Sequence, residues 1–389
     1  MTQTTDSAQN TSTTVEAEEL TTVSKESDIK STVQKESKVG YAVKNLNRLH
    51  YFSHLFGGMT SVVRSRFFSG RPRPFSLSHM VTNRCNSDCP YCFWKHHSDK
   101  EELSLAEIKR IYGEAKKEGF MTSILWGGEP LLRDDLPEIC KASQDNGMYT
   151  KLATNGYFLQ DRPDFAKHTD LIFVSIDDIG ERHNQLRRTP DLYDKAYNGI
   201  LYMKKHYPKM RIYICHCVST ESDGNIKKVA DLARDAGVLL YFVINKSNQD
   251  FEEWQGKNEL KQYEKTDEQL AEDFRYIKKL KAEGYPIRNS EYFMDYIIEK
   301  KNYYTCHWPK VTMVVYSDGK VLRCYDRKPI ADLKTQSLGE VIRSSEYRYV
   351  AENSGNCKLA CLGNYSLDSS GLWNFDYKAI KSIAEFAIT

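Results

Sequence analysis

The chain has 389 residues, of which 40% are hydrophobic, enough for one large domain with appendages or for two domains. Its net charge of +2 lacks the basic excess typical of nucleic-acid binding, so we predict no nucleic-acid partner. The longest apolar run, residues 238–244, falls short of the roughly 18 residues of a membrane span, and the first residues show no secretory signal pattern. We therefore predict a cytoplasmic protein whose ten cysteines are reduced ligands and not disulfides.

The N-terminal 74 residues divide into two parts. Residues 1–40 are rich in Thr, Ser, Glu and Lys, so we expect a disordered tail. Residues 41–74 mix aromatic with basic side chains, and no acidic residue occurs between Val39 and Ser87. Such a segment suits peripheral contact with an anionic membrane or a cover over an active-site mouth. The alternative is a helix packed on the core with its basic face in solvent.

Residues 75–245 alternate between strand-like and helix-like stretches. Ser104 and Glu107 predict a capping box at the first helix, and Gly237 predicts a helix C-cap. Repeats of this length indicate right-handed βαβ units around a parallel sheet. We predict an α/β fold, a partial (β/α)6 TIM-like barrel, because six repeats are too few for a complete eightfold barrel. The six strand-like runs are "FSLSHMV", "TSILWGG", "TKLATN", "LIFVSID", "RIYICHCV" and "VLLYFVIN".

The rest of the chain has a different pattern. Residues 246–305 predict a helical connection, with a capping signal at Thr266 and Gln269. Residues 306–389 begin with "CHWPKVTMVVYSDGKVLRCY", where Asp318-Gly319 marks a hairpin. We expect a separate, small α+β module there.

Three cysteines, Cys85, Cys89 and Cys92, follow directly on the first predicted strand. In parallel α/β folds that end of the sheet is where sites assemble. One interpretation is a zinc site completed by His96 or His97. The other is a [4Fe–4S] cube held at three corners, with the fourth iron open to a small-molecule ligand.

The Cys-x3-Cys-x2-Cys loop with Tyr91 before its last cysteine resembles the radical S-adenosylmethionine (SAM) superfamily. Over residues 75–245, further motifs occur in that family's order at successive strand ends: "GGEPLL", "ATNG", "VSIDD" and "HNQLRR". The resemblance implies that the first motif receives the SAM amino group and that Arg187 pairs with the SAM carboxylate. The candidate SAM-binding residues are Tyr91, Gly127, Gly128, Glu129, Pro130, Asn155, Ser175, Asp177 and Arg187.

The resemblance also implies an activity. A [4Fe–4S] cluster on Cys85, Cys89 and Cys92 would reductively cleave SAM to a 5′-deoxyadenosyl radical, which abstracts hydrogen from a substrate. A reductase, flavodoxin or ferredoxin would supply the electron. The non-enzymatic alternative is an iron–sulfur or zinc scaffold protein.

A second cysteine group lies near the C-terminus: Cys306, Cys324, Cys357 and Cys361. Their arrangement resembles the SPASM/twitch domains appended to many radical SAM enzymes, which implies a second, auxiliary iron–sulfur cluster. The full seven-cysteine SPASM pattern is absent from the sequence, so a single-cluster, twitch-like module is the better match. A structural four-thiolate zinc site is the alternative. His307 is interpreted as a neighbour and not a ligand.

Three cysteines stand outside these groups. Cys140 falls on a predicted helix and is assigned to the core. Strand alternation puts Cys215 and Cys217 on one face and His216 on the other, so this tripeptide is not a compact chelate. A core role is predicted for all three cysteines.

The substrate has two candidate classes. The basic–aromatic segment, residues 41–74, favours a lipid or isoprenoid, and its arrangement with the core is similar to radical SAM enzymes that act on lipids. The SPASM/twitch resemblance favours a peptide or a small metabolite.

Overall fold

A computed structural model describes residues 48–69, 71–92, 101–245, 259–299, 304–324, 329–356 and 363–388. The predicted disordered tail lies outside the described residues, as do His96, His97, Cys357 and Cys361.

One nine-stranded sheet organises the described residues. Its order is β6-β5-β4-β3-β2-β1-β7-β8-β9, and the first six strands are all parallel. Because each neighbouring pair among β1–β6 is consecutive in the chain, the sheet curves in one direction, as the predicted partial barrel requires. The strands are β1 (Ser76–Thr82), β2 (Thr122–Gly127), β3 (Tyr149–Thr154), β4 (Leu171–Ser175), β5 (Arg211–Val218), β6 (Leu239–Ile244), β7 (Thr312–Val315), β8 (Lys320–Leu322) and β9 (Pro329–Asp332).

Thirteen α-helices occur among the described residues. They are α1 (Arg48–Val63), α2 (Leu105–Glu118), α3 (Leu136–Asp145), α4 (Glu181–Arg187), α5 (Leu192–His206), α6 (Ile226–Ala236), α7 (Asp267–Ala282), α8 (Glu291–Ile298), α9 (Trp308–Val311), α10 (Leu338–Arg343), α11 (Ser345–Glu352), α12 (Asn364–Trp373) and α13 (Tyr377–Ile388). The predicted fold class is confirmed: an α/β protein with a curved parallel sheet.

Both faces of the sheet are buried, which is why its strands are almost continuously apolar. Leu77 and Val81 of β1 join the main core together with buried residues of α2 and α3. Met80, on the opposite face of β1, packs with Trp126 and Tyr316 inside the curve of the sheet. We call the space inside this curve the lumen.

The helix ends follow the local sequence. Ser104 and Glu107 form the predicted capping box at the start of α2, with Ser104 N–H donating to Glu107 Oε2 at 2.7 Å. Thr266 and Gln269 cap α7 in the same way. Gly237 ends α6 in the left-handed conformation, with φ of 63°.

The C-terminal hairpin differs from the expectation of a separate module. β7 pairs in parallel with β1, and β8 and β9 follow antiparallel, so the hairpin extends the barrel sheet. Without β7, β1 would be an edge strand with unpaired backbone groups, and this pairing satisfies them. The predicted domain boundary near residue 306 therefore does not separate two sheets.

The basic–aromatic segment forms α1, which contacts α13. Val62 is buried against Leu372 and Trp373, and the Arg66 guanidinium donates a hydrogen bond to the Trp373 carbonyl. The part of residues 41–74 that the structure describes contains a helix packed on the core. Peripheral membrane contact of this segment stays a prediction. Every helix among the described residues is too short or too polar to cross a membrane.

Candidate metal centre

The three-cysteine loop lies at the carboxyl end of β1. Cys85 is exposed, Cys89 is buried and Cys92 is half-buried. The Cys92 backbone N–H donates to the Cys89 carbonyl at 3.1 Å, and the Ser87 N–H donates to Cys85 Sγ at 3.4 Å. These local bonds hold the loop in a tight turn with its thiols on one short segment.

The charge state of the loop depends on what binds it. Burial raises the pKa of the Cys89 thiol to about 12, although the Arg187 guanidinium opposes that shift. Without a metal this thiol is therefore protonated at neutral pH. Metal ions bind thiolates, so loading the site would release protons.

The turn after β2 runs directly against the cysteine loop. The Gly128 N–H donates to the Thr82 carbonyl at 2.9 Å, and the Glu129 N–H donates to the Arg84 carbonyl at 2.7 Å. A Cβ atom at Gly128 would overlap the Arg84 carbonyl, and one at Gly127 would overlap the Thr82 carbonyl. Only glycine permits this approach, which explains the two glycines of the motif.

Glu129 is fully buried and ties β2 to β3. Its carboxylate accepts hydrogen bonds from Thr154 Oγ1 at 2.7 Å, Asn155 N–H at 2.7 Å and Leu131 N–H at 3.0 Å. Burial raises its pKa, while these donors oppose the increase. The Glu129 side chain thus fixes the turn after β2 against the carboxyl end of β3. Pro130, also buried, opens the 3-10 turn Pro130–Leu132 that follows.

Asn155 connects the end of β3 to the cysteine loop. Its Nδ2 donates to Asn86 Oδ1 at 2.8 Å and is 3.2 Å from Ser87 Oγ. Its Oδ1 accepts from the Tyr157 N–H at 2.9 Å. The side chain therefore fixes the loop between the first and second cysteines relative to the sheet.

Asp177, just beyond β4, is the centre of a buried polar network. Its Oδ2 accepts from Tyr91 OH and from Arg187 Nε, both at 2.7 Å. Its Oδ1 accepts from the Cys217 N–H at 2.9 Å. Burial opposes ionisation of Asp177, but Arg187 and the nearby histidines outweigh it and hold the pKa well below the usual range. The carboxylate thereby orients Arg187 and the last turn of the cysteine loop.

The predicted residues of the first site thus meet at one edge of the sheet. Ser175 ends β4 at the same edge and is half-buried. Among the described residues, no hydrogen-bond partner is found for its hydroxyl. The roles of all these residues toward SAM stay predictions.

Several residues at this edge of the sheet were not predicted from the sequence. Cys217, assigned to the core, packs with Cys89 and Tyr91, and Tyr263 joins the same cluster. Thr189 donates to Ser87 Oγ at 2.8 Å. Alternation put Cys215 and Cys217 on one face of β5, but which residues of the cysteine loop Cys217 lies beside depends on the register of the sheet.

The second predicted site is described only in part. Cys306 precedes α9 and β7, and Cys324 follows β8, so both stand away from the Asp318-Gly319 turn of the hairpin. His307 is buried beside Trp373, and its backbone N–H donates to Ser370 Oγ at 2.9 Å. With two of its four predicted ligands outside the described residues, the ligand set stays a prediction.

The three cysteine ligands that follow β1 suit an iron–sulfur cluster. No three His, Cys, Asp or Glu side chains of the described residues converge on one point as the ligands of a single ion do. In a [4Fe–4S] cube each cysteine holds a different iron, so the thiols need not converge. The close backbone approach at Gly127 and Gly128 sets the turn after β2 beside the three cysteines, at the edge where the SAM-binding residues are predicted. The residues present fit both a cluster and SAM.

Fold and site define an α/β protein built to hold a sulfur-ligated cofactor at the mouth of a partial barrel. Residues 80–233 match the radical SAM superfamily, and residues 306–362 match SPASM, an iron–sulfur cluster-binding domain. The chain therefore carries a radical SAM domain followed by a C-terminal SPASM domain. These domains imply a [4Fe–4S] cluster, SAM and auxiliary iron–sulfur binding.

Two curated relatives match part of the chain. The AdoMet-dependent heme synthase of Methanosarcina barkeri is 31% identical over 180 residues, which cover 44% of this chain and 50% of the relative. The PqqA peptide cyclase of Ruegeria pomeroyi is 33% identical over 135 residues, which cover 33% of this chain and 34% of the relative. The chain therefore spans half or less of the length of these relatives.

Two solved structures share the fold. SuiB of Streptococcus suis bound to the precursor peptide SuiA has a TM-score of 0.59 at 15% identity, covering 72% of this chain and 67% of SuiB. Native anSMEcpe with bound AdoMet and Cp18Cys peptide has a TM-score of 0.56 at 20% identity, covering 81% of this chain and 99% of that one. At such low sequence identities, the similarity to these two structures shows a shared fold and nothing further.

Proposed function

We propose that this chain is a radical SAM enzyme that modifies a peptide. When bound at Cys85, Cys89 and Cys92, a [4Fe–4S] cluster would supply the electron for cleaving SAM to methionine and a 5′-deoxyadenosyl radical, and that radical would abstract hydrogen from the substrate. The observation that carries the proposal is the contact between the three-cysteine loop and the glycine turn after β2.

The chain's own residues would bind and orient these groups. Cys85, Cys89 and Cys92 would each hold one iron. Arg187 donates through Nε to Asp177, and its guanidinium has further N–H donors with which to receive the SAM carboxylate. Because Asp177 is itself held by Tyr91 OH, the cysteine loop and Arg187 are oriented as one unit.

A peptide is the substrate class that we favour. The PqqA cyclase relative is named for a peptide, and the SuiB and anSMEcpe structures contain one. The heme synthase relative makes a small molecule the second candidate. The lipid alternative rests on the basic–aromatic segment, part of which packs on the core: Val62 of α1 is buried against Leu372 and Trp373.

The SPASM domain would serve the same reaction. We propose that Cys306, Cys324, Cys357 and Cys361 hold an auxiliary cluster that relays an electron or anchors the peptide. A flavodoxin, ferredoxin or reductase would deliver the electron to the first cluster. A Cys357→Ala variant should then still form 5′-deoxyadenosine while losing modified product.

The central test replaces Cys85, Cys89 and Cys92 together by Ala after anaerobic reconstitution. The wild type should hold about eight irons and eight sulfides if two cubes are present, and the variant about four of each. The variant should form no 5′-deoxyadenosine under dithionite, as measured by chromatography. Cys140→Ala, at a buried helix position of α3, is the matched control and should keep both readouts.

Two results would contradict the proposal. One is SAM cleavage by the triple variant at the wild-type rate. The other is a wild-type protein that contains zinc at the first site and forms no 5′-deoxyadenosine after reduction.

A further inference from the structure

A cavity of about 210 Å³ occupies the lower half of the lumen, toward the amino ends of the parallel strands. It lies between the concave face of the sheet and α12, at the opposite end of the strands from the cysteine loop. Its wall includes the first residues of several strands, among them Ser76, Thr122 and Tyr149. It is thus a separate space from the rim at which SAM is expected.

The walls of this cavity are largely aromatic. Phe173 and Tyr241 line it from the sheet, and their ring centroids are 6.0 Å apart. Tyr365 of α12 closes it from the other side, 5.9 Å from the Tyr241 ring. Trp308 also lines it. Flat apolar surfaces of this kind accept a flat apolar group by stacking and edge contacts.

Lys151 is the charged residue at the middle of the sheet wall. It lies halfway along β3, is half-buried, and faces the cavity with its Nζ 5.9 Å from the Tyr149 ring centroid. Among the described residues, no carboxylate or other acceptor lies within hydrogen-bond or ion-pair distance of Nζ. Burial, together with Arg211, lowers its pKa to about 8, so the amine is still mostly protonated at neutral pH.

The remaining charges around the cavity do not neutralise this cation. Arg288 lines the cavity and adds a second positive charge. Asp368 of α12 accepts from Ser290 Oγ at 2.5 Å, and burial raises its pKa to about 7, which leaves it partly protonated at neutral pH. Asp170, just before β4, attracts Lys151, while Arg211 of β5 repels it. A half-buried cation without a carboxylate partner costs free energy, which an anionic ligand would recover.

We propose that the lower lumen binds a carboxylate-bearing, flat apolar group of the substrate, and that Lys151 is the specificity-determining residue that pairs with the carboxylate. This inference depends on the proposed function in one respect only: the group bound in the cavity is taken to belong to the substrate. Lys151 is three residues from the end of β3, about 10 Å at 3.3 Å per residue, so the carboxylate would lie that far below the rim. A group anchored there would extend upward to the predicted SAM site.

The test measures binding of small probes to the full-length protein by titration calorimetry. The probe pairs are 2-naphthoate with 2-naphthamide, and N-acetylphenylalanine with its amide. We expect each carboxylate to bind the wild type at least tenfold more tightly than its amide. A preference shown only by the naphthoate pair supports a non-peptide carboxylate, and one shown by both pairs allows a peptide.

Variants assign the preference to Lys151. Lys151→Met should bind acid and amide equally, and Lys151→Arg should keep part of the preference for the acid. Lys205→Met, at an exposed lysine of α5, should behave as the wild type. Since Lys151→Met removes a half-buried charge, we expect the variant to fold, and Lys151→Gln serves if it does not.

Three outcomes would overturn the inference: no preference for the acid in the wild type, an unchanged preference in Lys151→Met or Lys151→Gln, or tighter binding of 2-naphthylmethylamine than of 2-naphthoate. Formation of 5′-deoxyadenosine from SAM, measured on the same proteins, reports on the proposed function independently. Wild type that cleaves SAM but shows no preference for acids refutes the lumen proposal alone.

Discussion

Gly128 is the residue at which the turn after β2 and the cysteine loop are in direct backbone contact. A methyl group there would overlap the Arg84 carbonyl, and backbone atoms cannot move aside as a flexible side chain can. We predict that Gly128→Ala displaces the cysteine loop and lowers both cluster content and 5′-deoxyadenosine formation at least tenfold. Iron analysis and chromatography measure the two effects.

Gly113→Ala is the matched control for that substitution. Gly113 lies inside α2, and a Cβ there meets nothing within 4 Å. Replacing a helical glycine by alanine stabilises by roughly 0.4–1 kcal/mol. Equal cluster content in both variants would show that the contact at Gly128 is unimportant.

His79 makes stability depend on pH. It is fully buried, its Nδ1 is 2.8 Å from Tyr112 OH, and burial with Arg133 lowers its pKa to about 3. The unfolded chain, with a histidine pKa near 6.5, takes up the proton first as pH falls. The contribution of His79 to the free energy of unfolding should therefore be fully present above pH 6.5. It should decrease below that pH, by up to about 1.4 kcal/mol per pH unit.

Denaturant unfolding at pH 6.5 and pH 5 measures this slope. His79→Gln should show a shallower decrease than the wild type, and the exposed His206→Gln should keep the wild-type slope. A wild-type slope in His79→Gln would mean that His79 is already protonated in the folded protein or that its burial is incomplete.

Not every residue of the site could be predicted from the sequence. The spacing of Cys85, Cys89 and Cys92 and the motif at Gly127 are local patterns, so they could be recognised without a fold. Cys217 has no such pattern. It joins Cys89 only because β5 stands in a particular register beside β4, a property of the assembled sheet.

At the scale of elements, α2 begins where its capping box requires. The Glu107 N–H donates to Ser104 Oγ at 3.3 Å, and the Ser104 N–H donates to the Glu107 carboxylate. We predict that Ser104→Ala lowers the free energy of unfolding by about 1 kcal/mol, because one helix-end donor loses its partner. Thermal unfolding measures the loss. Lys109→Ala, exposed on the same helix, should stay within about 0.5 kcal/mol of the wild type, and an equal loss there would contradict the capping explanation.

The pairing of β7 could not be predicted from the elements themselves. The hairpin at Asp318-Gly319 was evident, because a turn signal lay between two apolar runs. The strand that β7 would pair with was not evident, because β1 is more than 230 residues away and the parallel ladder between the two strands is nonlocal. The hairpin predicted within the C-terminal module therefore extends the barrel sheet.

At the scale of the whole molecule, α1 connects the N-terminal part of the described chain to its C-terminal helices. Val62 is 1% exposed and packs with Val311, Leu372 and Trp373. We predict that Val62→Ala lowers the free energy of unfolding by about 1–3 kcal/mol, since it leaves a small cavity at this junction. Thermal unfolding measures the effect. The half-buried Val63→Ala should cost less, and an equal loss from both would show that the junction carries no special stability.

The sequence by itself determined the order of strands and helices, the capped helix ends and the spacing of the cysteine loop, because each depends on residues within a few positions of one another. Only the tertiary structure decided that Cys217 contacts Cys89, that β7 joins β1, and that Lys151 and Tyr365 face one cavity. These contacts bring together residues far apart in the chain, and their geometry follows from sheet register and curvature, which no short pattern encodes.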